Sequence, residues 1–189
     1  MTPETVLILK LTGQLIGKIG SSKRSNTTQG KLPPEIERKV KSYDRVTNLW
    51  SYADGDLLAL LALVDLMWEK SIQPLSRKDE NQLQLDLGVN ALSRSATQTA
   101  LSRMKDAKKQ LELLKLKNDA IMDLAKVVAG RSLLGGVANA SQITLDKLGC
   151  EEVRKRGTAN IKALDPILKR LDSIIAVTEQ TARAHGASP

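Results

Sequence analysis

Apolar residues recur at helical intervals along most of the chain. Thr2-Pro3-Glu4 reads as a helix start, with a capping hydroxyl, a proline in the first turn and an acid near the positive end of the dipole. Ile8, Leu11, Leu15, Ile16 and Ile19 then follow three- and four-residue spacing, which predicts a helix over about 4–19. Gly13, Gly17 and Gly20 weaken it, and a strand pair turning at Thr12-Gly13 is the competing reading. From about Gly20 to Pro34 the pattern stops in a polar, small and basic stretch, the composition of a flexible arm.

Periodicity resumes at Pro34. Ile36, Val40, Tyr43, Thr47 and Trp50 fall on one side of a helix expected to end at Asp54-Gly55. Asp56 is expected to cap the next helix, Leu57 to Ile72, which is apolar almost all round and so belongs at the centre of a fold, with Pro74 as its stop. Leu83, Leu85, Leu87 and Val89 alternate, yet Gln and Asp fill the gaps, and a short helix over about 81–92 is the reading adopted. A long helix follows from Ser95 to Ala129, free of Pro and Gly, with Gly130 as its expected stop. After Gly135-Gly136, a helix over 141–156 is predicted to break at Gly157. Asp165-Pro166 then starts or kinks a last helix striped by Ile167, Leu168, Leu171, Ile174 and Ile175.

These elements predict an all-α, multi-helix bundle of about six helices, with one long central helix and a flexible N-terminal arm. The expected division is an N-terminal helix plus basic arm over 1–33 and a helical bundle domain over 34–186. Within the long helix a heptad frame places Met104, Leu111, Asn118 and Ala125 at a-positions and Ala107, Leu114, Ile121 and Val128 at d-positions. Met104, Leu111, Leu114, Asn118, Ile121 and Val128 are thus candidates for core or oligomer packing. A polar Asn at one a-position is a known device for fixing register. Leu113, Leu116 and Leu124 lie off that seam, which favours an internal bundle helix over a two-stranded zipper.

Composition supports this picture. The 189 residues include no Phe and only two Trp and two Tyr, so aliphatic side chains and Met must fill the core. Tyr43, Trp50, Tyr52 and Trp68 are expected to belong to it. The single cysteine, Cys150, rules out an intramolecular disulfide. No secretion signal is evident, and the apolar run from Leu57 to Trp68 is too short to span a bilayer. A cytoplasmic place, or one inside a virion or infected cell, is expected.

Charge directs the functional reading. The net charge is +8, with nine Lys/Arg against four Asp/Glu in residues 1–50, three against seven in 51–92, nine against four in 93–131 and eight against six in 132–189. Two basic stretches flank an acidic one. Candidate polyanion-binding groups are Lys18, Lys23, Arg24 and Lys31 in and beside the arm; Arg94, Arg103, Lys105, Lys108 and Lys109 at the start of the long helix; and Arg154, Lys155 and Arg156 at a helix end. Lys108, Lys115 and Lys126 share a face with Glu112, Asp119 and Asp123, so part of the long helix's charge is expected to pair within the helix.

Catalytic chemistry finds no foothold. The lone histidine, His185, sits near the C-terminus, and Cys150 precedes two glutamates that would oppose a thiolate. Gly13 to Lys18 falls one residue short of a phosphate loop, with Ile19 where Ser or Thr is required. Neither a cofactor nor a metal is implied. The expected function is that of a non-enzymatic assembly protein of nucleoid, coat or packaging type, self-associating and binding DNA or RNA through its backbone. A protein–protein adaptor with no nucleic-acid role is the alternative. A third possibility is a membrane-surface protein using the amphipathic segment 1–20.

Overall fold

The computed structural model describes residues 3–21, 32–86, 94–134 and 139–184. Among them the protein is all-α, an arrangement of six helices with no strand. Helix α1 spans Pro3–Ser21 and α2 spans Pro34–Lys41, followed by a 3₁₀ turn at Leu49–Tyr52. Helix α3 runs Gly55–Met67, passes through a π-helical turn at Trp68–Ile72 and finishes as α-helix at Gln73–Ser76. Helix α4 is Glu80–Asp86, and the two long helices are α5, Arg94–Leu134, and α6, Ala140–Ala184.

Helix α3 is the hub. Every side chain from Leu57 to Val64 is buried, and α1, α2, α5 and α6 all pack on it. Its all-round apolar sequence requires this, because each large aliphatic side chain removed from water contributes about 1.5–3 kcal/mol. Segment 4–19 is helix rather than a strand pair. Ile8, Leu11, Leu15 and Ile19 of α1 are buried against α3 and α5, and this burial outweighs the cost of the exposed Gly13, Gly17 and Gly20, about 1 kcal/mol each.

Several predicted boundaries move, each for a local reason. Helix α2 ends at Lys41, well before Asp54, because Ser42 turns its hydroxyl back to the Lys39 carbonyl at 2.6 Å. The Asp44 carboxylate then accepts from the Val46 N–H and the Thr47 hydroxyl, each at 2.8 Å, a turn that competes with helix. Asp54, not Asp56, caps α3: its carboxylate accepts from the Asp56 N–H at 2.8 Å. Pro74 does not stop α3, because the π turn before it satisfies the Gln73 N–H on the Trp68 carbonyl and widens the helix where the proline ring would clash. The 87–92 part of the expected short helix lies outside the described residues.

The long helices depart furthest from expectation. Gly130 does not end α5, since Arg131 anchors the next turn through the Asp56 carboxylate at 3.3 Å and the Ile19 carbonyl at 2.8 Å. Gly157 does not break α6 either; it packs against α5, where a Cβ would lie 2.8 Å from Cγ and Sδ of the flexible Met122 side chain. Pro166 sits inside α6 on its exposed side, one turn after the exposed Lys162, whose carbonyl loses its usual N–H donor. Two predicted helices are therefore one, 45 residues long, antiparallel to α5 and packed along much of its length.

The seam is where the heptad frame places it. Met104, Leu111, Leu114, Asn118, Ile121 and Val128 are all buried, with Ala107 and Ala125 between them. The Asn160 side-chain amide donates to Asn118 Oδ1 at 3.2 Å and to the Val64 main-chain carbonyl at 3.0 Å, while the Asn118 side-chain amide donates to the Leu114 main-chain carbonyl at 3.0 Å. One polar contact thus fixes the register of α5, α6 and α3 within a single chain. Helix α5 is nevertheless not internal: Leu124 packs at the edge of the core, but Leu113 and Leu116 are 41% and 65% exposed.

Candidate polyanion interface

The basic start of α5 is largely engaged with α6. The Lys105 ammonium lies 2.7 Å from the Glu179 carboxylate, Lys108 2.6 Å from Asp172 and Lys115 2.6 Å from Asp165. The antiparallel register puts each lysine opposite an acid, making a three-rung ladder along one edge of the helix pair. Hydrogen bonding to Asp172 holds the Lys108 ammonium above its ordinary pKa, and hydrogen bonding from Lys105 holds Glu179 below its own. Pairing inside α5 is weaker than the sequence suggests: Lys108 to Glu112 is 3.7 Å, whereas Lys126 to Asp123 is 2.7 Å. Arg103 and Lys109 are exposed on α5. Lys23, Arg24 and Lys31 lie outside the described residues, as does the side chain of Arg94 at the head of α5; Lys18 is half-buried on α1.

Arg156 points the other way from its neighbours. Its guanidinium contacts Asp65 at 2.6 Å and Glu152 at 2.8 Å, and lies 5.2 Å from the centre of the Trp50 ring. Tyr43 donates to the same Asp65 carboxylate at 2.9 Å and meets Trp50 edge-on at 4.9 Å. Burial works against the Arg156 charge, but hydrogen bonds to Asp65 and Glu152 hold it above arginine's usual value. Burial, then the Asp65 charge, pushes the Tyr43 hydroxyl up. This cluster pins α2, the 3₁₀ turn, α3 and α6 together. Three of the four aromatics pack at the core's margin as expected, and Tyr52 does not, being 49% exposed.

Arg154 and Lys155 face outward, and the continuous α6 gives them company. Lys147, Arg154, Lys162 and Lys169 follow at intervals of seven, eight and seven residues, with Lys155 beside them, and all five are exposed. Residues 147 to 169 cover about 33 Å of helix. Of the three acids between Lys147 and Lys169, Asp165 pairs with Lys115, Glu152 pairs closely with Arg156 and lies 3.9 Å from Lys155, and Glu151 stands exposed on the face. Glu151, Arg154, Lys155, Thr158, Ala159 and Lys162 line a shallow, open groove. No aromatic ring stands among them. Lys147, Lys162 and Lys169 were missed in the sequence because Gly157 and Pro166 divided the helix that aligns them; a seven-residue search carried through both would have found the row.

Burial raises the Cys150 thiol pKa, with Glu151 adding to it and Arg154 opposing it, so the thiol is not activated. Among the described residues no three His, Cys, Asp or Glu side chains are placed to hold a metal ion, and no helix is long and apolar enough to cross a membrane. The apolar side of α1 faces the core, leaving Val6, Leu7 and Lys10 exposed. No protein-family model, curated protein or solved structure matches the chain, so its function is read from its own residues.

Proposed function

We propose that this is a non-enzymatic assembly protein that binds nucleic acid along the outer face of α6, contacting the phosphate backbone without reading sequence. One observation carries the reading: five exposed cations, Lys147, Arg154, Lys155, Lys162 and Lys169, in a row on a single helix, with three acids between them, of which Glu152 and Asp165 are engaged by Arg156 and Lys115. A rigid row of that length matches a polymer carrying a charge every few ångströms, and the lack of stacking rings favours backbone contact over base contact. Of the expected groups, this reading keeps Arg154 and Lys155, adds Lys147, Lys162 and Lys169, and sets aside the lysines at the start of α5 that are tied to α6.

Filter binding of a duplex DNA and an RNA across about 50–200 mM salt tests it. Five phosphate contacts give a log–log slope of about −4 to −5. Absence of binding to both polymers at about 50 mM salt removes the proposal.

A second reading has its own support. Leu113, Leu116 and Val127 are 41%, 65% and 59% exposed on the outward side of α5, an apolar strip of the kind that meets another protein. In an adaptor that uses this strip, Leu116→Asp abolishes partner capture, and charge reversal on α6 does not.

A further inference from the structure

At the opposite end of the bundle from the 3₁₀ turn, five helical segments leave an unfilled space. The cavity measures about 310 Å³ and lies between the start of α1, the end of α3, α4, α5 and α6. Its floor is Leu83, Ala107, Leu111, Ile167 and Leu171, all buried core residues, and half-buried Leu75 forms part of its rim. Helix interiors pack with few voids larger than a water molecule, so a space of this size is not a packing flaw of the usual kind. Its origin is visible in the heptad frame: Leu114, Ile121 and Val128 fill their d-positions, and Ala107 supplies only a methyl group beside the cavity.

The mouth is polar on one side. Lys78 and Asp86, which pair across it, both line the cavity, and the Arg170 guanidinium donates to the Lys78 carbonyl and fixes that turn. An ammonium has three donors, and one carboxylate does not exhaust them. Helix α4, which carries Asp86, buries only Leu83. The cavity is therefore apolar in depth, carries the Lys78–Asp86 ion pair at its entrance with the Arg170 guanidinium close by, and is bounded on one side by a short, lightly held helix.

We infer that this cavity is a binding site for a single-chain amphiphile, an unbranched alkyl chain with a carboxylate head, whose head group takes a place on the Lys78 ammonium while the chain lies between Ala107, Leu111, Ile167 and Leu171. At roughly 30 Å³ per water-sized group the space accepts about ten such groups, which sets the chain at about eight to ten carbons. The inference is independent of the nucleic-acid reading, since none of these residues lies on the outer face of α6.

Calorimetric titration of the full chain with octanoate, decanoate and the neutral decanol tests it. Decanoate binds one per chain. Ala107→Leu fills the cavity and lowers decanoate affinity at least tenfold while the helical circular dichroism is retained. Lys78→Gln weakens decanoate about fivefold and leaves decanol unchanged. Leu75→Trp, at the half-buried rim, keeps the test open if Ala107→Leu fails to fold, because its fluorescence changes with decanoate at one equivalent. No binding at millimolar decanoate overturns the site. Unaltered affinity in a folded Ala107→Leu protein overturns its location, and equal loss of decanoate and decanol in Lys78→Gln overturns the role of the ammonium.

Discussion

The two long helices carry similar numbers of cations and use them differently. On α5, Lys105, Lys108 and Lys115 reach across to acids of α6, and their charge is spent on holding two helices in register. On α6, Lys147, Arg154, Lys162 and Lys169 are exposed and have no acid of α5 within ion-pair distance among the described residues. Net charge predicts attraction to polyanions but not where it acts. What decides it is which lysines face an acid across the seam, a property of register and not of composition.

Reversing charge on each helix in turn tests the difference most strongly. The triple change Lys147→Glu, Lys162→Glu, Lys169→Glu is expected to weaken nucleic-acid binding by about 100- to 1000-fold at 50 mM salt, through three lost phosphate contacts and added repulsion, with the melting temperature little changed. The pair Lys105→Glu, Lys108→Glu does the reverse: affinity holds within a few-fold, and the melting temperature falls because like charges now face each other across the seam. Equal loss of binding from both sets would erase the distinction between the helices.

Next in size is Arg156, adjacent in sequence to Lys155 and opposite in role. Removing its guanidinium leaves Asp65 and Glu152, 13% and 19% exposed, without their shared cation. Arg156→Ala should cost about 2–4 kcal/mol, somewhat below the loss typical of breaking a fully buried pair, since the arginine itself is about a third exposed. Urea unfolding measures it. Lys155→Ala, whose contact to Glu152 is 3.9 Å and whose side chain is 79% exposed, should cost less than about 0.5 kcal/mol.

Two glycines on α6 come third. A Cβ at Gly149 would lie 2.8 Å from the Ala53 Cβ, an atom that moves only with its backbone, whereas at Gly157 the obstructing atoms belong to flexible Met122. Gly149→Ala is expected to destabilise by about 1–3 kcal/mol through overpacking. At Gly157 the helix propensity gained, about 1 kcal/mol, offsets most of the crowding, so Gly157→Ala should be near neutral in the same unfolding experiment.

These glycines also explain what the sequence concealed. The seam of α5 is readable because its repeat is local: Met104, Leu111, Leu114 and Ile121 announce a buried face from spacing alone. The partner of that face is not local. Asn118 stands out as a polar residue at an apolar position, but Asn160, 42 residues away, becomes its partner only once α5 and α6 are antiparallel. Gly157 and Pro166 carry the signals of a helix end, and they are overridden by close packing on Met122 and by a proline ring that faces solvent. The division they suggest hides the cationic row, since Lys147, Lys162 and Lys169 then belong to separate elements. Arg156 shows the opposite error, a member of a basic triplet that the helix turns inward toward Asp65.

The smallest effect concerns the pH response of the ladder itself. Glu179 is held below the ordinary glutamate value of 4.5, chiefly by the hydrogen bond from Lys105. A carboxylate of that kind contributes stability above its unfolded pKa and loses the contribution as pH falls through the lowered folded value, so the loss is confined to the acid side. Lys108 is held above 10.5, chiefly by its bond to Asp172; its contribution is complete below that value and fades only as pH rises through the raised one. Glu179→Gln should therefore lower the melting temperature slightly at neutral pH and by progressively less as the pH falls below 4.5 toward the lowered folded value. The mutation lies off the cationic row of α6 and should leave nucleic-acid binding at neutral pH as it was. A melting difference of the same size at neutral pH and below pH 4.5 would mean that the Lys105–Glu179 contact does not act through its charge, and the ladder would then lose its claim to be what separates the lysines of α5 from those of α6.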